Sequence, residues 1–96
     1  MAVRLVINIT AVPGKGTELA QAMKARCEVS QKDEGCEQFE VFHSALNPDR
    51  LVLLERWSSQ AALDAHGQLQ RQRPPLPPGL RQGEGEREDY EYNRTR

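Results

Sequence analysis

The chain has no excess of either charge. Its 96 residues include 13 lysines and arginines against 14 aspartates and glutamates, for a formal charge of −1. No basic surplus exists to steer it onto nucleic acid or an anionic membrane, and neither partner is expected. Long apolar runs are missing as well, since none approaches the roughly 20 residues needed to span a bilayer. The segment Met1 to Val12 lacks the basic start and small-residue cleavage site of a signal peptide, so a cytoplasmic location is expected. Cysteine is scarce. Cys27 and Cys36 fall on different predicted elements and make no disulfide framework. No CxxC pair or Cys/His cluster suggests a metal, and the two thiols are expected to be buried and free. Gly14-Lys15-Gly16-Thr17 lacks the spacing of a phosphate loop, and Ser44 lacks a GxSxG context.

What is there suits one lean globular domain over residues 1–96, with 38% hydrophobic and 28% charged residues. A domain of this size buries only roughly 60–65% of its unfolded surface, so a partner subunit would add useful burial. Val3 to Val12 is rich in β-branched residues and reads as a strand, with Val3, Leu5, Ile7 and Ile9 on one face and Arg4, Val6, Asn8 and Thr10 on the other. Pro13-Gly14 ends it. Leu19, Ala22, Met23, Arg26, Cys27 and Ser30 then follow helical spacing from Gly16 or Thr17 to about Lys32, with Thr17 or a residue just before it as N-cap and Gly35 suited to a left-handed C-cap. Cys36 to Ser44 and Arg50 to Trp57 read as strands joined in a hairpin by Asn47-Pro48-Asp49. A second helix runs from Ser59 to about Gln70, capped by Ser58 or Ser59. Residues 71–86 form a Pro/Gly-rich connection, expected to be extended and on the surface. Tyr90 to Arg94 is the candidate fourth strand.

The order β-α-β-β-α-β predicts an α+β, ferredoxin-like domain with an antiparallel sheet. Its two helices cover one sheet face. Val6, Phe42 and Trp57 are expected on the other, where they need a cover, and a second copy of the chain is the simplest one.

The run from Glu34 to His66 also carries an ordered set of residues. Glu34-Gly35-Cys36 precedes the second strand and Phe39 lies within it. Asn47-Pro48-Asp49 makes the hairpin, Glu55 and Trp57 end the third strand, and Ala62, Leu63 and His66 mark the second helix. With Pro13-Gly14, this set resembles the antibiotic-biosynthesis-monooxygenase family over about residues 3 to 69. The resemblance implies a homodimer built by sheet-to-sheet association into a dimeric α/β barrel. It also implies chemistry of the cofactor-independent oxygenases that act on quinols or polyketide-type phenols. Haem-degrading oxygenases and an isomerase of a quorum-sensing signal share this fold, and activity lies in the site rather than the fold. After His66 many relatives continue into an amphipathic segment that helps to wall the cavity. Here GQLQRQRPPLPPGLRQG takes its place.

Five residues are candidates for the site. His66 is the catalytic candidate, a base able to take a phenolic proton, and otherwise a hydrogen-bonding residue that holds the second helix to the sheet. Trp57, the single tryptophan, offers a stacking wall for a flat substrate, or simply core packing. Asn8 offers a polar anchor, or a paired interior amide. Glu55 shares the face of Trp57 and could orient a base or pair with Arg4 or Arg56. Phe42 supplies apolar substrate contact. Asn8, Trp57 and His66 are also similar to the trio of the haem-degrading relatives. The expected function is a cofactor-independent monooxygenase of a small aromatic molecule. The alternatives are a non-catalytic dimeric small-molecule binder and a haem-binding or haem-degrading relative.

Overall fold

Period-two alternation and helical spacing produce the expected elements. The computed structural model describes residues 1–95. They form β1 (Val3–Thr10), α1 (Gly16–Ser30), β2 (Cys36–His43), β3 (Arg50–Trp57), α2 (Gln60–Gln70) and β4 (Glu86–Glu91). The strands make one sheet in the order β2-β3-β1-β4, with every neighbouring pair antiparallel. This is the ferredoxin-like α+β fold. The core lies between the sheet and the helices. Leu5, Ile9, Leu51, Leu53 and Trp57 face Leu19, Met23 and Cys27 of α1 and Leu63 of α2. Cys27 and Cys36 are both free; Cys27 is buried and Cys36 half-buried.

The register corrects the face assigned to Trp57. Val3 pairs with Trp57, Leu5 with Glu55, Ile7 with Leu53 and Ile9 with Leu51. Directly paired residues share a face, so Trp57 belongs to the helix-covered side and is fully buried there. The open face instead carries Val6, Phe42, Val52 and Leu54 among polar neighbours. In its rows, Leu54 lies beside Val6, and Val52 lies between Asn8 and Phe42.

The helix starts differ in chemistry. α2 is capped by Ser59, whose hydroxyl accepts from the Ala62 amide at 3.1 Å. α1 has no side-chain cap from Thr17 or its neighbours. The hairpin supplies one instead: the Asp49 carboxylate accepts from the amides of Gly14 and Gly16, each at 2.9 Å. A carboxylate there satisfies orphan donors and complements the positive end of the helix. The contact needs glycine at position 16, because a Cβ would lie 2.0 Å from the Pro48 carbonyl oxygen. Gly35 has a positive φ of 81°. It lies in the turn beyond α1 rather than at the C-cap, which is Gln31.

β4 starts and ends earlier than Tyr90–Arg94. It runs antiparallel to β1 from Glu86, opposite Asn8, to Glu91, opposite Val3. Its charged side chains conceal the strand because it is a solvent-facing edge. The connection before it is not wholly on the surface. Leu80 is buried, Leu76 packs on the core, and the Val12 amide donates to the Leu80 carbonyl at 2.8 Å.

Candidate functional site

β3 brings a carboxylate into the core. Glu55 sits in the inward row with Leu51, Leu53 and Trp57 and is only 4% exposed. Burying a carboxylate is costly without a partner. The Trp57 indole Nε1 donates to Glu55 Oε1 at 2.9 Å. Burial raises the pKa of Glu55 above the ordinary carboxylate range, and the indole hydrogen bond opposes this in part. Arg4 and Arg56 do not pair with it: Arg56 faces the other side of the sheet and bridges to Glu37 at 3.0 Å.

α2 places His66 against the same spot. Its ring centroid lies 4.5 Å from that of Trp57 and 5.4 Å from that of Phe39. The sequence offered no partner for this histidine, and the structure provides one. His66 Nδ1 lies 2.7 Å from Asp33 Oδ2, in the turn after α1. Arg73, just beyond α2, donates to the same carboxylate through Nη1 at 2.8 Å and Nη2 at 2.6 Å. The Arg73 hydrogen bonds are the main reason that the Asp33 carboxyl is held below its usual pKa, with His66 adding to the effect against the cost of burial. An ionised Asp33 can only accept, so Nδ1 of His66 must carry its hydrogen. In the neutral ring the lone pair is then on Nε2, as a general base requires.

Both groups border a cavity of about 950 Å³ between sheet and helices. This is at the upper end of the roughly 300–1,000 Å³ typical of small-molecule sites. Leu5, Ile7, Met23, Phe39 and Leu53 give it an apolar floor, and Glu55 and His66 supply polar atoms. The segment after α2 closes one side through Arg73, Pro75 and Leu76, so it takes part in the wall despite its composition. Trp57 does not line the cavity. It lies behind the lining, where it holds Glu55 by hydrogen bond and His66 by ring contact.

The remaining candidates are elsewhere. Asn8 and Phe42 lie on the open face, on either side of Val52, with the sheet between them and the cavity. The second histidine of the chain, His43, is not one of these candidates; it is exposed at the end of β2, with Nδ1 2.9 Å from the Pro48 carbonyl oxygen. The Asn8–Trp57–His66 trio is therefore divided by the sheet within the chain, with Trp57 fully buried, and these three residues do not fit a shared haem site there. Sequence reasoning missed Asp33 and Arg73. The only local signal was a carboxylate two residues before Gly35 in the matched stretch.

The family model for antibiotic biosynthesis monooxygenases matches residues 2–73, which includes β1 through α2 and both Asp33 and His66. The chain belongs to this family. Solved structures of similar proteins share its fold. A Pseudomonas aeruginosa protein superposes with a TM-score of 0.79 at 23% identity, covering 97% of this chain and 95% of its own. A conserved Methanosarcina mazei protein gives 0.75 at 25% identity, covering 97% and 94%. A Nitrosomonas europaea protein described as a candidate antibiotic biosynthesis monooxygenase gives 0.78 at 18% identity, covering 93% and 88%. No functionally curated protein matches the chain in sequence. In this family member the region beyond the match, from Pro74 on, contributes Pro75, Leu76, Arg81 and Arg87 to the cavity border.

Proposed function

We propose that the protein is a cofactor-independent monooxygenase of small electron-rich phenols or quinols, acting in the cavity between sheet and helices. The observation that carries this reading is the Asp33–His66 contact of 2.7 Å at the edge of an apolar cavity. Asp33 fixes the ring and its tautomer, and His66 Nε2 takes the phenolic proton. The resulting phenolate is electron-rich enough to reduce oxygen directly. One oxygen atom enters the ring and the other leaves as water, so a quinol becomes a hydroxyquinone. The substrate supplies all four electrons. Glu55 offers a hydrogen-bond partner to a second hydroxyl, and Trp57 positions both Glu55 and His66 from behind.

The test is aerobic turnover of a quinol panel, followed by oxygen uptake, with the parent chain and His66→Ala. Loss of a base in this role costs roughly 100- to 10,000-fold in turnover. Equal rates in the two would remove His66 from the mechanism. Ligand retention without turnover by the parent would favour the non-catalytic binder.

A further inference from the structure

The border of the cavity carries a charge pattern that proton transfer does not use. Arg26, Arg71, Arg73, Arg81 and Arg87 all lie on it. Two are neutralised by carboxylates, Arg73 by Asp33 at 2.6 Å and Arg87 by Asp89 at 2.7 Å. Among the described residues no ion pair holds the other three.

Arg26 is held through its side chain, and Arg81 through its backbone. Arg26 is half-buried on α1, and its Nη2 donates to the Pro74 carbonyl at 3.0 Å. The Arg81 backbone bridges to Ala11, next to buried Leu80, and the Gln82 amide donates to the Thr10 carbonyl at 2.8 Å, so the exposed Arg81 side chain starts from a fixed point on the cavity border. Burial and then repulsion from Arg81 and Arg73 lower the pKa of Arg26 from its ordinary value. No carboxylate offsets that repulsion. Of the two acids that border the cavity, Asp64 accepts from Gln60 at 2.9 Å and Glu55 is bound to Trp57. Two like charges on one border, one of them held and half-buried, repel each other until an anion joins them.

We propose that the cavity selects an anionic aromatic ligand, a flat ring system bearing a carboxylate or sulfonate, with Arg26 and Arg81 binding the oxyanion and the ring lying over the half-buried Ile7. This rests on the cavity being the substrate site named above. It narrows the substrate class from phenols in general to acidic ones. Guanidinium groups suit the role because their donors are fixed in a plane that matches an oxyanion.

Binding of 1-naphthoate, naphthalene-1-sulfonate and 1-naphthol, followed by fluorescence titration at neutral pH, tests this. Both anions are expected to bind roughly tenfold or more tightly than 1-naphthol, and the advantage should shrink as salt is added. In Arg26→Gln/Arg81→Gln the advantage should fall below about threefold with 1-naphthol binding unchanged. If the double variant melts early, the single Arg81→Gln at the exposed position carries the test, and at least half of the advantage should go. Equal affinity for the three probes, no binding of any, or an advantage that survives in a folded variant would each overturn the proposal. The assay needs no turnover. Failure of quinol oxidation would leave an anion preference intact, and oxidation without that preference would retire only this inference.

Discussion

Replacing Asp33 by asparagine attacks the contact on which the site depends. The carboxylate receives three donors, one from His66 at 2.7 Å and two from Arg73 at 2.8 and 2.6 Å. An amide cannot accept all three. With its oxygen toward His66 and Arg73 Nη1, its NH₂ group meets Arg73 Nη2, donor against donor. Turned over, it meets Arg73 Nη1 and also forces His66 into the other tautomer. Breaking a buried ion pair costs about 3–5 kcal/mol. The Asp33 side chain is 9% exposed but that of Arg73 is 23% exposed, so water can reach some of the freed donors. We therefore expect a loss of about 2–3 kcal/mol at neutral pH, or roughly 10–20 °C in Tm for a domain of this size.

The pH dependence has a defined sign. Arg73 above all, and then His66, lower the folded-state pKa of Asp33. The stability it contributes is present above its unfolded pKa of about 3.9 and is lost as pH falls through the lower folded value. The gap between parent and Asp33→Asn should thus be full at neutral pH and close on acidification below about pH 4. Urea unfolding at fixed protein concentration measures it, in a cycle with Arg73→Met. A loss under about 0.5 kcal/mol, or additive effects of the two substitutions, would refute the reasoning.

Two further outcomes follow from the two faces of the sheet. We propose that a second copy of the chain covers Val6, Phe42, Val52 and Leu54, so the parent should sediment as a dimer and Leu54→Arg as a folded monomer; a monomeric parent at every concentration tested would end the idea. Glu55→Gln keeps an acceptor for the Trp57 indole and removes the buried charge, so it should stabilise the chain by about 1 kcal/mol at neutral pH while lowering turnover. Because burial raises the folded pKa of Glu55, the parent should lose stability as pH rises from about 4.3 through that value, and Glu55→Gln should lack this slope in urea melts.

Element order was legible because each strand or helix carries its own local period. Faces were harder where both rows of a strand carry apolar residues. In β3 the rows are Leu51, Leu53, Glu55, Trp57 and Arg50, Val52, Leu54, Arg56. Each row mixes apolar and charged residues, so composition alone does not say how the strand's faces match those of its neighbours. Pairing of β3 with β1 decides it, and pairing is a long-range property. β4 was misplaced for the opposite reason. EREDYE has almost no apolar signal, since every one of its residues is exposed, and backbone pairing alone makes it a strand.

The site was legible in part for the same physical reason. Glu55, Trp57 and His66 lie in one short stretch of sequence whose spacing puts them near the same end of the sheet. Asp33 is 33 residues from His66 and 40 from Arg73. Those groups meet only after α2 folds back over the sheet and the following segment returns past the end of α1. The surroundings that suit His66 to the proposed role of base are thus assembled by the tertiary fold. The carboxylate that orients it also ties down the segment that walls the cavity, through Arg73. A substitution at Asp33 should therefore disturb proton transfer and closure of the cavity together, whereas one at His66 removes the base and leaves the Asp33–Arg73 tie in place. Comparing the two variants for ligand retention as well as turnover separates these effects.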